Sequence, residues 1–164
     1  RFTHVLWMDD DIVVDGDSAL RLLDSIDDAH PVVFGLAFER DGEHKPGIWR
    51  NITFADQHVG VEQIFDYPAD TMIPIEASGL CFGGWDREVL TAIKKPYFDW
   101  KLPGYGRSSY TPDGYFCRRL REAGIPIFCH TGVKVGHMSY PIQITEAVAN
   151  ECRPVWRHSE HDSK

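Results

Sequence analysis

No CxxC pair occurs among the four cysteines, and Cys81, Cys117, Cys129 and Cys152 stand far apart. Zinc fingers and small disulfide scaffolds use closely set, patterned cysteines, so both are argued against; the four read as reduced and mostly buried thiols. No apolar run approaches the roughly 20 residues of a membrane-spanning helix. No stretch has the form of a signal peptide; the location stays open, with the cytoplasm favoured. Basic residues are also in deficit: 17 Lys and Arg stand against 25 Asp and Glu, a formal net charge of -8. A nucleic-acid polymer calls for a basic face and is not an expected partner. A nucleotide whose charge a metal ion balances is still compatible. The first residue is not Met, and Arg1-Phe2 lead directly into an apolar segment. The expectation is therefore a fragment whose N-terminus is missing.

What is present suffices for one domain. The chain has 164 residues, 43% of them apolar and 12% aromatic, enough for a true core and too apolar for a disordered chain. Apolar runs predict strands over 3–9, 31–38, 73–82, 125–129 and 133–137. Alternation at Ile48, Ile52 and Phe54 predicts a hairpin of 47–54 with 59–66. Helices are predicted over 17–28, 87–93 behind a capping Asp86, 112–123 and 141–150. Pro112 suits the first turn of the third, and Gly124 its close. Gly83-Gly84 is read as the end of the strand before it. Strands alternating with helices give an α/β class, a mixed sheet flanked by helices. The domain is expected to span 1–150, with 151–164 a polar tail.

Three acids, Asp9-Asp10-Asp11, follow the apolar run Val5-Leu6-Trp7-Met8 and precede a helical pattern. They thus fall at the carboxyl end of a strand, where open α/β sheets bind ligands. Adjacent carboxylates repel one another, and a divalent cation with its preference for oxygen ligands relieves this. The competing reading is a solvated acidic turn that caps the next helix. Asp113 falls in the first turn of the 112–123 helix, where it could equally complement the helix dipole. His137 ends an apolar strand after Gly136. It is either a hydrogen-bonded strand-end histidine or a metal ligand.

In this order, the motifs resemble a GT-A-type glycosyltransferase, of the inverting kind that uses nucleotide-diphosphate sugars. The set comprises Asp9-x-Asp11, Ala77-Ser78-Gly79 with Gly83-Gly84, Asp113 ahead of Tyr115-Phe116-Cys117-Arg118 and Ala123-Gly124, and Gly136-His137. The resemblance runs from Val5 to about Ile144. It implies the C-terminal part of a GT-A fold. It also implies that Asp9 and Asp10 lie on the nucleotide side, and that Asp9, Asp11 and His137 hold Mn²⁺ or Mg²⁺. Asp113 would be the catalytic base. Pro112 stands where the family usually has Glu. The implied partners are a nucleotide-diphosphate sugar and a glycan, lipid or protein acceptor. Gly83, Gly84, Trp100 and Tyr105 would contact that acceptor. Tyr110 is a further candidate ring, whereas Trp85 reads rather as core packing.

The chemistry is consistent with the resemblance. Glycosyl transfer needs the leaving diphosphate neutralised and the attacking hydroxyl deprotonated. The family places two or three βα units ahead of the Asp-x-Asp strand, and this sequence holds none of them. An open apolar surface is accordingly expected beside Val5, Trp7, Val33 and Phe34. Two other readings compete. A metal-dependent phosphoester hydrolase would want more ligands, yet His4, His30, His44, His58 and His130 show no paired spacing. The other is a sugar-binding relic of the fold without turnover.

Overall fold

A computed structural model of the protein describes residues 2–40, 42–53, 59–99, 111–139 and 142–156. In chain order these hold β1 (His4–Met8), β2 (Ile12–Val13), α1 (Gly16–Asp24), β3 (Val32–Leu36), β4 (Ile48–Thr53) and β5 (Val59–Gln63). There follow β6 (Met72–Ile75), β7 (Ala77–Ser78), β8 (Phe82–Asp86), α2 (Val89–Ala92), α3 (Pro112–Glu122), β9 (Ile127–Lys134), β10 (Gly136–Ser139), β11 (Ile142–Ile144) and α4 (Glu146–Trp156). The expected α/β architecture with a mixed sheet is present. The main sheet has the order β1-β8-β3-β9-β6, with β3 and β9 parallel and the other pairs antiparallel. Two smaller sheets, β11-β10-β2 and β5-β4-β7, flank it.

Central β3 shows why its sequence is a continuous apolar run. Every one of its residues is buried, as expected of a strand covered on both faces. Val32, Phe34 and Leu36 join a core with Phe116, Cys117 and Leu120 of α3. Val33 packs oppositely, with Leu22 of α1, Ile26 and Val133. The period of two along a strand thus sorts one run into two cores. Both helices are held by their sequence-encoded caps. Asp15 accepts the Ser18 N–H at 2.7 Å. Thr111 accepts that of Gly114 at 3.3 Å, and Gly124 adopts φ +72 just beyond the end of α3. A left-handed residue at that point is a common helix stop and favours glycine.

Several expectations are corrected. Gly83 and Gly84 do not end a strand but sit inside β8, because two side chains need their missing Cβ atoms. A Cβ on Gly83 would lie 2.4 Å from Phe34 Cδ1, and one on Gly84 2.8 Å from Ile26 Cδ1. The 73–82 run is broken into β6, β7 and the start of β8, and 127–134 is one strand rather than the tail of one and the head of another. The last helix begins after β11 and continues to Trp156, past its expected end at 150. Pro154 and the polar residues around it masked that helix, since an interior Pro removes a backbone donor.

The open apolar surface is present at Trp7, as expected, but not at Val33 and Phe34. Val33 and Phe34 are fully buried, whereas Leu6, Trp7 and Met8 are 43%, 37% and 52% exposed. β1 is the edge of its sheet and, among the described residues, pairs only with β8. Trp7 still packs one side against Phe98, with ring centroids 5.3 Å apart, and stacks toward Trp85 at 6.5 Å. Trp85 is core, as expected, and touches Phe116 at 5.0 Å. Its indole N–H is buried with no partner among the described residues.

Candidate functional site

The acidic run forms a turn fastened at both ends by backbone. Asp9 N–H donates to the Cys81 carbonyl at 3.0 Å, and Ile12 N–H closes the turn on the Asp9 carbonyl at 3.3 Å. Met138 N–H then donates to the Asp11 carbonyl at 2.8 Å. Next to it, β2 and β10 pair antiparallel with His137 opposite Ile12. This ladder carries His137 to the acids. Its Nε2 lies 3.5 Å from Asp11 Oδ1. His137 is 8% exposed, and its Nδ1 contacts the Phe38 carbonyl at 3.0 Å. A carbonyl only accepts, so Nδ1 carries the proton. Nε2 is the ring nitrogen left facing the Asp11 carboxylate.

The other acids are differently engaged. Asp9 Oδ1 accepts the Trp7 indole N–H at 3.1 Å, and Asp10 is exposed in the turn. Asp11 Oδ2 accepts from Arg40 Nη1 at 2.6 Å. Arg40 comes from the segment after β3 and was not singled out by the sequence. Among the described residues no group of three or more His, Cys, Asp or Glu is arranged to hold a metal ion. Asp11 and His137 come together, while Asp9 does not complete a triad with them because Trp7 holds it. One carboxylate and one imidazole could supply two ligands to an ion, with the remaining positions left to water or substrate oxygens. The proton on Nδ1 also leaves His137 in the tautomer that ligation through Nε2 requires.

Asp113 approaches from α3. That helix is tied to the strand segment ahead of the cleft: Cys117 Sγ donates to the Ser78 carbonyl at 3.7 Å, and Arg121 Nη1 to the Glu76 carbonyl at 2.7 Å. Burial is the chief reason the Asp113 carboxyl is pushed above its ordinary range; the Asp9 charge adds to it, against the pull of its own and the Leu80 N–H groups. Cys81 lies among all these groups. Burial, then the charges of Asp9, Asp113 and Asp11, push its thiol up to about 12, with Arg40 opposing. One thiol thus feels four ionic side chains drawn from three separate parts of the chain. The sequence had marked Cys81 only as a buried thiol.

Of the expected acceptor contacts, Gly83 and Gly84 are corrected: both are buried packing positions within β8. Trp100, Tyr105 and Tyr110 lie outside the described residues. A cavity of about 250 Å³ does open beside Asp113, lined by Trp49, Val61, Ala77, Thr111 and Arg121 among others.

No protein-family model matches the sequence, and no curated protein matches it. Among solved structures, the chain is similar to A197 from STIV, with a TM-score of 0.55 at 18% sequence identity. The likeness covers 84% of this chain, which spans 59% of that one. At this identity it speaks to the fold alone.

Proposed function

We propose that this chain carries the metal and acceptor side of a GT-A-type glycosyltransferase, which moves a sugar from a nucleotide-diphosphate donor to an acceptor hydroxyl. The observation that carries the reading is the approach of His137 Nε2 to Asp11 Oδ1 at 3.5 Å on the acidic turn, with Asp113 at the start of α3 close enough for the Asp9 charge to act on its carboxyl. A separate carboxylate for the acceptor and a carboxylate–imidazole pair for the diphosphate are what this reaction needs.

In this reading Asp113 accepts the proton of the acceptor hydroxyl as its oxygen bonds to the anomeric carbon. The bond from that carbon to the diphosphate breaks, and its electron pair leaves with the diphosphate. A half-buried carboxyl pushed upward is a better proton acceptor than an exposed one, because base strength rises with pKa. Asp11 and His137 would hold Mn²⁺ or Mg²⁺, which supplies positive charge for the leaving group when bound. Arg40, already on Asp11, is placed to take a phosphate oxygen once Asp11 turns to the ion. Pro112 contributes no carboxylate, so the base role falls on Asp113 alone.

The test incubates the protein with Mn²⁺ and a panel of nucleotide-diphosphate sugars, and follows nucleotide-diphosphate release by mass spectrometry. Release that depends on Asp113 supports the reading. Cleavage of a plain phosphate ester, with nucleotide sugars untouched, would reassign the site to a phosphoester hydrolase. No turnover by a longer form that binds sugar would leave the sugar-binding module.

A further inference from the structure

The cavity beside Asp113 has a composition that the acidic turn does not explain. Its wall comes from the small sheet β5-β4-β7. On the middle strand, Ile48 is fully buried in the core, so its neighbour Trp49 faces the other way by the alternation of a strand. Trp49 pairs with Ala77 on one side and Gln63 on the other. Val61, two residues before Gln63, shares that face as a diagonal neighbour and is 55% exposed. An indole and two aliphatic side chains thus form one apolar wall of the cavity. The rim opposite in chemistry comes from α3 and its N-cap: Thr111, Asp113 and Arg121 line it, the last also bonded to the Glu76 carbonyl. Thr111 accepts the Gly114 N–H, which leaves its own O–H to donate.

A flat aromatic wall, a carboxylate, a hydroxyl donor and a cation around about 250 Å³ match a pyranose ring. Such a ring has an apolar C–H face for stacking and hydroxyls at its edge for hydrogen bonds. A lipid acceptor would need a longer apolar groove, whereas this cavity has charged and polar residues along one side. We propose that the cavity is the acceptor subsite, that the acceptor is a glycan, and that its terminal pyranose lies on the Trp49 indole with a hydroxyl toward Asp113. The role of Asp113 as base rests on the glycosyltransferase reading; the stacking on Trp49 does not.

Saturation-transfer NMR of the protein with methyl glycosides of glucose, galactose, mannose and N-acetylglucosamine tests the subsite without any turnover. At least one glycoside should receive saturation on its C–H face. Trp49→Phe should keep this contact. Trp49→Ala should weaken binding about tenfold, the loss of roughly 1.4 kcal/mol of stacking and burial. Val61→Asp changes an exposed position outside the core and should weaken binding as well, which covers the case of a poorly folded Trp49→Ala. Nucleotide-sugar and Mn²⁺ binding by calorimetry should stay unchanged in all three variants. Absence of saturation for every glycoside, or equal saturation in wild type, Trp49→Ala and Val61→Asp, would overturn the proposal. Saturation at Trp49 with no turnover of any nucleotide sugar would keep the subsite and sink the transferase. Turnover whose acceptor KM ignores Trp49 would do the reverse.

Discussion

His137 Nε2 faces Asp11 Oδ1 at 3.5 Å because the other ring nitrogen is committed to the Phe38 carbonyl. The ring cannot turn away without leaving a nearly buried N–H unpaired. Its orientation is therefore set by the protein before any cation arrives. Asp11→Asn and His137→Ala should each lower Mn²⁺ affinity by more than about tenfold, read by electron paramagnetic resonance of free Mn²⁺. Unchanged affinity in both would remove the ion from this pair.

Arg40 competes for the same carboxylate. Arg40→Ala frees Asp11 Oδ2, so Mn²⁺ alone should bind more tightly to the variant. A nucleotide diphosphate in the presence of Mn²⁺ should bind less tightly, since a guanidinium that could take its phosphate is gone. Calorimetry with the two ligands separates these effects. A drop in both affinities would show that Arg40 supports the ion site rather than opposing it.

Asp113 should trade stability for proton affinity. Its carboxyl is raised above 3.8, chiefly by burial. Between 3.8 and its folded value the native state binds more protons than the unfolded chain, so stability falls as pH rises through that window. Above the window the ionised group is a standing cost. Asp113→Asn should therefore raise Tm at pH 7, and the gain should disappear below pH 3.8. Transfer should fall about 10²–10⁴-fold in the same variant. A lower Tm at pH 7 would contradict the burial of this charge.

Cys81 should be inert. A thiol pushed up to about 12 holds only about one thiolate in ten thousand at pH 8. Peptide-level mass spectrometry after iodoacetamide should find Cys81 unmodified in the native protein, alongside the fully buried Cys117 and Cys129. Rapid alkylation of Cys81 would mean that the cleft is more open than described.

Gly83→Ala should cost about 1–3 kcal/mol, the usual range for overpacking, because the new methyl meets the Phe34 ring. Phe34→Leu in the same chain should recover part of that loss. Denaturant unfolding of the single and double variants measures the coupling, and strict additivity would show that the ring does not sense position 83.

What the sequence could and could not disclose follows from the kind of signal each feature carries. α1, α3 and the β4–β5 hairpin were legible because caps and alternation are local. Gly83 and Gly84 were misplaced because a glycine reads as a strand end or as room for a neighbour, and only Phe34 and Ile26 decide which. Arg40 went unnoticed and Cys81 read only as a buried thiol since neither carries a motif, and their place depends on β1, β3, β8 and α3 meeting. Trp49 was hidden within a hairpin strand whose outward face sequence could not relate to Asp113.

The fastening of the acidic turn has a consequence for inheritance. Asp9 is tied through its N–H to Cys81 and Asp11 through its carbonyl to Met138, with β2 beginning at the next residue. No slack exists between these two anchors. Inserting or deleting one residue there would break one tie or shift the two-residue strand so that His137 no longer faced the turn. The interval between Asp9 and Asp11 is thus fixed by main-chain geometry, and descendants of this chain can change the chemistry of the middle residue far more readily than they can change the count.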